Sequence, residues 1–224
     1  MIAAGLKRIL LYGPPGTGKT YAALRLATSG GPAERLVCTE DLTTAEITGS
    51  WMPVGNGRWE WREGPAIRAW RQGGVGGRLV VDEVDRASGD ALSTLLAMTD
   101  SPESARWRNP ETGEWVKPGS EFSVLMTTNL EDLTAIPSAL LDRFPVAIRI
   151  DQPHPSAVTS LSDDLQTPAL NSALGEDVRR VSLRRWYAFD GLRRSIGAER
   201  AAQLVFGEAQ GQDVLDALRV GSLR

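Results

Sequence analysis

Eight residues, GPPGTGKT at Gly13–Thr20, constrain this chain more than any other stretch. They follow the apolar run Arg8–Tyr12 and precede a helical pattern, so they read as a loop leading from a strand into a helix. The glycines let backbone N–H groups curl around phosphate oxygens, and the helix N-terminus adds a favourable dipole. Lys19 supplies a point charge for the β and γ phosphates, and the Thr20 hydroxyl suits a magnesium ion. Gly13, Pro14, Pro15, Gly16, Thr17, Gly18, Lys19 and Thr20 are therefore the expected nucleotide-binding residues, with Mg²⁺; the sequence shows no Asn-Lys-x-Asp guanine-reading motif, so ATP is the expected nucleotide.

The chain around this loop alternates short apolar runs with helical patterns, the mark of parallel βαβ units. Strands are expected at Arg8–Tyr12, Arg35–Cys38, Arg78–Asp82, Phe122–Thr127 and Val146–Ile150, which together imply an α/β fold with a five-stranded parallel sheet. Helices are expected at Lys19–Thr28, Thr43–Ile47, Pro65–Arg71 and Ser88–Met98. After Asp151 the strands stop, and helical patterns are best in Leu183–Ser195 and Ala198–Phe206, while 156–181 lacks a clear apolar face. The expected domains are thus 1–151 and an all-helical 152–224.

Two stretches break the alternation. GSWMPVGNGRWEWREGP (49–65) carries Trp51, Trp59 and Trp61 around a Gly-Asn-Gly turn, and ARWRNPETGEWVKPG (105–119) carries Trp107 and Trp115. Both read as β-hairpins, near 49–63 and 105–118. Alternation puts Trp59 and Trp61 on one hairpin face, with Trp51 able to cover them from the other arm.

RLVVDEVDRA (78–87) supplies an acidic strand end. There Asp82 is expected to hold Mg²⁺ through water, and Glu83 to orient and polarise the attacking water. VLMTTN (124–129) is another apolar strand with a polar end. If it lies between the strands bearing the loop and the acids, Asn129 reaches the water near the γ-phosphate; otherwise Asn129 is a turn residue.

The net charge of −3 and a pI near 5.4 argue against a globally basic nucleic-acid surface but leave room for a local basic groove. Lysine occurs only at Lys7, Lys19 and Lys117 among 25 basic residues, so arginine dominates. The one cysteine, Cys38, reads as a buried strand thiol. His154 stands in a proline-flanked linker without metal-site partners. No apolar run approaches the ~20 residues of a membrane span, and the N-terminus does not read as a signal peptide, so the expected location is cytoplasmic.

Taken in order, the loop, first hairpin, DEVDRA, second hairpin, TTN and PSALLDRF (137–144) resemble the AAA+ P-loop ATPases, specifically the MoxR-like branch, over about residues 8–150. Asp85 stands where that branch usually has asparagine. The resemblance implies Asn129 as sensor 1 and Arg143 as an arginine finger acting in trans on a neighbour's nucleotide. It also implies a C-terminal helical lid whose sensor 2 arginine is Arg184, or Arg185 in the rival register of VSLRRW. By the same resemblance the protein forms a ring, a hexamer, and remodels a protein client such as a von Willebrand factor A-domain protein. Trp51, Trp59 and Trp61 are then candidate partner contacts. The alternative is a nucleic-acid motor or loader, kept open by Arg58, Arg62, Arg106 and Arg108 beside the tryptophans. A small-molecule kinase needs neither a finger nor two hairpins.

Overall fold

A computed structural model describes residues 6–25, 31–173 and 180–221. Residues 26–28 of the expected first helix lie outside that set. The chain divides into two compact units, Met1–Gly13 with Lys19–Arg149 and Pro14–Gly18 with Ile150–Arg224.

The first unit is built on a five-stranded sheet. Its strands are β1 (Arg8–Tyr12), β2 (Glu34–Val37), β5 (Arg78–Asp82), β8 (Ser123–Thr127) and β9 (Val146–Arg149), in the order β2-β5-β8-β1-β9, all parallel. Every residue of β5 and β8 is buried, as expected of central strands covered on both faces. Flanking helices are α1 (Lys19–Arg25), α2 (Thr44–Thr48), α3 (Pro65–Arg71), α4 (Gly89–Met98) and α5 (Ser138–Arg143). α2 starts at a capping box in which Thr43 and Glu46 bond each other's backbone, and α3 starts at Pro65, whose fixed φ suits a first helical turn. Ile67, Trp70, Leu79, Val81, Leu95 and Met126 pack into one core between sheet and helices. Each buried aliphatic side chain contributes about 1.5–3 kcal/mol.

Both hairpins form. β3 (Gly49–Gly55) pairs antiparallel with β4 (Arg58–Glu63), and β6 (Trp107–Arg108) with β7 (Trp115–Val116). At the first tip Asn56 (φ 51°) and Gly57 (φ 70°) both take positive φ, the two-residue turn whose twist matches a hairpin. Its neck is pinched by glycines: a Cβ at Gly49 would lie 2.4 Å from the Arg62 carbonyl oxygen, and one at Gly64 2.5 Å from that of Ile47. Trp51 stands opposite Trp61 and meets it edge-on at 5.8 Å, whereas Trp59 stands opposite Pro53.

The second unit is helical over α6 (Pro155–Val158), α7 (Asp163–Ala173), α8 (Leu183–Ile196), α9 (Ala198–Phe206) and α10 (Glu208–Gly221). Its own core gathers Leu165, Ala169, Trp186, Phe189, Ala202 and Phe206. α7 lies where the sequence offers no clear apolar face. Its buried stripe is one residue per turn, Leu165, Ala169 and Ala173, too thin to stand out against an interior Pro168. His154 caps α6, its Nδ1 accepting from the Ser156 amide at 3.2 Å. Among the described residues no helix is long and apolar enough to cross a membrane.

Candidate nucleotide-hydrolysis site

The strand order decides what meets at the carboxyl edge of the sheet. β8 sits between β5 and β1, with Leu11 level with Thr127 and Val81 level with Met126. The ends of these strands thereby bring Asp82, Glu83 and Thr127 to the edge at which β1 runs into the glycine-rich loop. Asn129 follows at the end of β8 and is exposed, and the Gly13 amide donates to the Leu130 carbonyl at 2.9 Å.

Between β1 and α1 the loop takes positive φ at Gly13 (123°), Gly16 (81°) and Gly18 (92°), which side chains would resist. Thr17 Oγ1 donates to the Pro14 carbonyl at 3.2 Å. Lys19, the first residue of α1, is buried, and its Nζ donates to the Gly13 carbonyl at 2.8 Å. Burial lowers the Lys19 pKa to about 8, against the opposing pull of Asp82 and Asp85.

Asp82 is the best-connected group here. Its Oδ1 accepts from the hydroxyls of Thr20, at 2.7 Å, and Thr127. Its Oδ2 is bound by Arg35 Nη2 at 2.5 Å. Burial pushes this carboxyl up, but the bonds from Thr127, Arg35 and Thr20 outweigh it and hold the pKa below the usual value. Thr20 and Asp82 are hard oxygen donors brought within hydrogen-bond reach, a set that fits Mg²⁺ better than a softer metal. Among the described residues no group of three or more His, Cys, Asp or Glu is placed to hold a metal ion.

Glu83 adopts left-handed backbone geometry (φ 56°, ψ 46°), a conformation that costs a non-glycine residue about 1–3 kcal/mol. It is held there by its amide, which donates to Thr127 Oγ1 at 3.3 Å, and its carboxylate pairs with Arg86 at 3.0 Å. Thr128 donates to Asp85 at 2.6 Å, so aspartate at this position ties DEVDRA to TTN. Arg35, Thr127 and Thr128 went unnoticed in the sequence. The two threonines at the end of an apolar strand were a usable signal; Arg35 had none, because only strand pairing brings it to Asp82. Cys38 is buried, its thiol raised to about 12 by burial and by Asp85, Asp82 and Glu83, so it is unreactive.

Arg143 lies elsewhere. It ends α5 just before β9, whose first residue Val146 is level with Ile9 at the opposite, amino edge of the sheet. Its Nη1 donates to the Ala139 carbonyl at 2.8 Å and its Nη2 stands 3.6 Å from Asp100. Arg8 donates to the Asp100 backbone carbonyl.

In the helical unit the two sensor 2 candidates differ sharply. Arg185 donates twice to the Val205 carbonyl, at 3.0 and 2.7 Å, once to Gln210 at 3.0 Å, and stacks over Phe206. Arg184 is exposed.

A phosphate loop running from an interior parallel strand into a helix, one strand away from a strand that ends in paired acids, defines a P-loop nucleotide-binding protein. Residues 8–144 match the family model described as AAA domain (dynein-related subfamily), and the chain belongs to that family. It is thus an AAA+ P-loop ATPase; the family uses ATP and Mg²⁺ and commonly assembles as rings. No curated protein matches the chain.

Proposed function

We propose that this chain hydrolyses ATP at sites shared between neighbouring subunits of a ring and uses the cycle to remodel a protein partner, in the manner of the MoxR-like branch. The observation that carries this is the separation of Arg143 from Lys19 of its own subunit. The two lie at opposite edges of a sheet whose β1 spans four residue steps, about 13 Å at ~3.3 Å each. A finger so placed serves a neighbour's nucleotide, which makes turnover depend on assembly.

In this reading Gly13–Gly18 wrap the phosphates, and Lys19 turns from the Gly13 carbonyl to the β/γ oxygens. Thr20 and, through water, Asp82 would hold Mg²⁺, which when bound offsets charge on the phosphates. Glu83, set in its strained conformation, orients water for in-line attack and accepts its proton. Asn129 at the β8 end and Arg184 sense the γ-phosphate in cis, and a neighbour's Arg143 offsets the charge that develops on it. Arg184 is favoured over Arg185 because the latter is already committed to Val205 and Gln210. The domain division near residue 151 and the role of 152–224 as a lid belong to the same proposal.

For the client, exposed Trp51 and Trp59 on the first hairpin and Trp115 on the second offer aromatic contact area beyond the nucleotide site. A partner with a von Willebrand factor A-type domain fits the branch. The test is a Glu83→Gln chain, expected to retain ATP, used as bait for co-purification. Recovery of a defined protein in an ATP-dependent manner supports remodelling. Recovery of nucleic acid alone, with ATPase stimulation that fades as salt rises, overturns it in favour of a nucleic-acid motor.

A further inference from the structure

The ion pair on Asp82 has a consequence for how the site takes up metal. Arg35 is the second residue of β2 and stands level with Val80, so Asp82 lies two residues further along the neighbouring strand. The guanidinium reaches forward across that gap and binds Oδ2 at 2.5 Å. Oδ1 is already taken by Thr20 and Thr127, so Arg35 engages the remaining oxygen. The partners are unequal: the Asp82 side chain is 7% exposed, whereas that of Arg35 is 46% exposed. One is fixed in the sheet and the other rides on a flexible stem with solvent beside it.

We propose that Arg35 is a displaceable counter-ion for Asp82, a positioning residue that holds the carboxylate when no metal is present and competes with Mg²⁺ for it. This rests on the nucleotide-site reading above and adds the control of metal uptake. A hydrated divalent cation arriving at Thr20 and Asp82 meets an oxygen already engaged by a cation, and like charges cannot share it without cost. Arg35 has an exit, since its exposed head can swing to water. The pair therefore raises the magnesium needed to load nucleotide, while keeping a buried carboxylate compensated whenever the metal is not bound.

The test is a magnesium titration of the binding of a fluorescent ATP analogue to the full chain, read as the free Mg²⁺ at half-saturation. Arg35→Gln keeps much of the stem and removes the charge; Arg35→Lys keeps the charge. The glutamine variant is expected to need roughly three- to tenfold less Mg²⁺, the scale of a partly exposed charge-assisted pair, and the lysine variant to lie nearer the wild type. General damage to the site raises the requirement, so direction separates competition from disruption. An unchanged or raised requirement in Arg35→Gln overturns the proposal. If the wild-type chain binds no analogue with or without Mg²⁺, the nucleotide-site reading itself fails, and this one with it.

Discussion

Trp61 on the first hairpin and Trp107 on the second lie with ring centroids 5.8 Å apart and planes inclined at 33°, while Trp51 also meets Trp61 edge-on. Two inserts separated by more than forty residues are thus joined through one side chain. Trp59, two residues away on the same strand, shares none of these ring contacts and is 60% exposed. The pair that alternation places on a single face divides into a packing residue and a free one.

That division predicts different outcomes for the two alanine variants. Trp61→Ala removes a half-buried ring from the joint and should cost about 2 kcal/mol, lowering the melting temperature by about 4–8 °C. Trp59→Ala should stay within about 0.5 kcal/mol of the wild type and leave basal ATPase unchanged. Thermal melts of both decide it; equal losses would place Trp59 in the packing as well.

Lys19 gives a pH signature. With its pKa near 8 in the free protein, the side chain is charged below that value and progressively neutral above it. Phosphate oxygens favour the charged form, so binding takes up a proton when the pH exceeds 8. Nucleotide affinity should be flat on the acid side of pH 8 and then weaken about tenfold per pH unit as pH rises. Calorimetric titrations in buffers of differing ionisation enthalpy would detect the proton, and a flat profile through pH 9.5 would contradict it.

Arg143 and Lys19 belong to different active sites if the finger acts in trans. Arg143→Ala alone should bind nucleotide and lose turnover by ~10³-fold or more. Lys19→Ala alone should fail to bind. Mixing the two should restore a measurable fraction of activity, because a Lys19→Ala subunit still offers its finger to an intact loop next door. Absence of any recovery in mixtures shown to co-assemble would argue for a local role at Asp100.

The adjacent arginines of α8 should separate by stability. Arg185→Ala removes three hydrogen bonds and a stacking contact over Phe206, at a cost of about 1–3 kcal/mol. Arg184→Ala should melt like the wild type and lower turnover. If instead Arg185→Ala keeps its melting temperature and loses turnover, the sensor lies in the rival register.

Thr127 serves both acids, donating its hydroxyl to Asp82 and accepting the Glu83 amide. Thr127→Val keeps the shape and deletes both bonds. Turnover should fall about tenfold through misplacement of Glu83, with nucleotide affinity changed less than about threefold. Steady-state kinetics beside analogue binding would separate the two effects.

The loop, the acidic strand end and the five strands were legible in the sequence because each is a local pattern. Glycines at fixed spacing, apolar runs of strand length and an Asn-Gly tip act within a few residues of themselves, so Gly13–Thr20, Asp82–Glu83 and the first hairpin could be read from neighbours alone. α7 was hidden by its thin apolar stripe, which gives little contrast along the chain. What only the tertiary structure decided are relations between distant residues. Parallel pairing sets β8 between β5 and β1, brings Arg35 level with Val80 and so onto Asp82, and leaves Arg143 at the far edge of the sheet. Packing assigns Trp61 to Trp107 and leaves Trp59 exposed, though both come from the same alternating strand. Periodicity says which side of an element a residue occupies; which other element covers that side follows from strand order, and strand order is a property of the whole sheet.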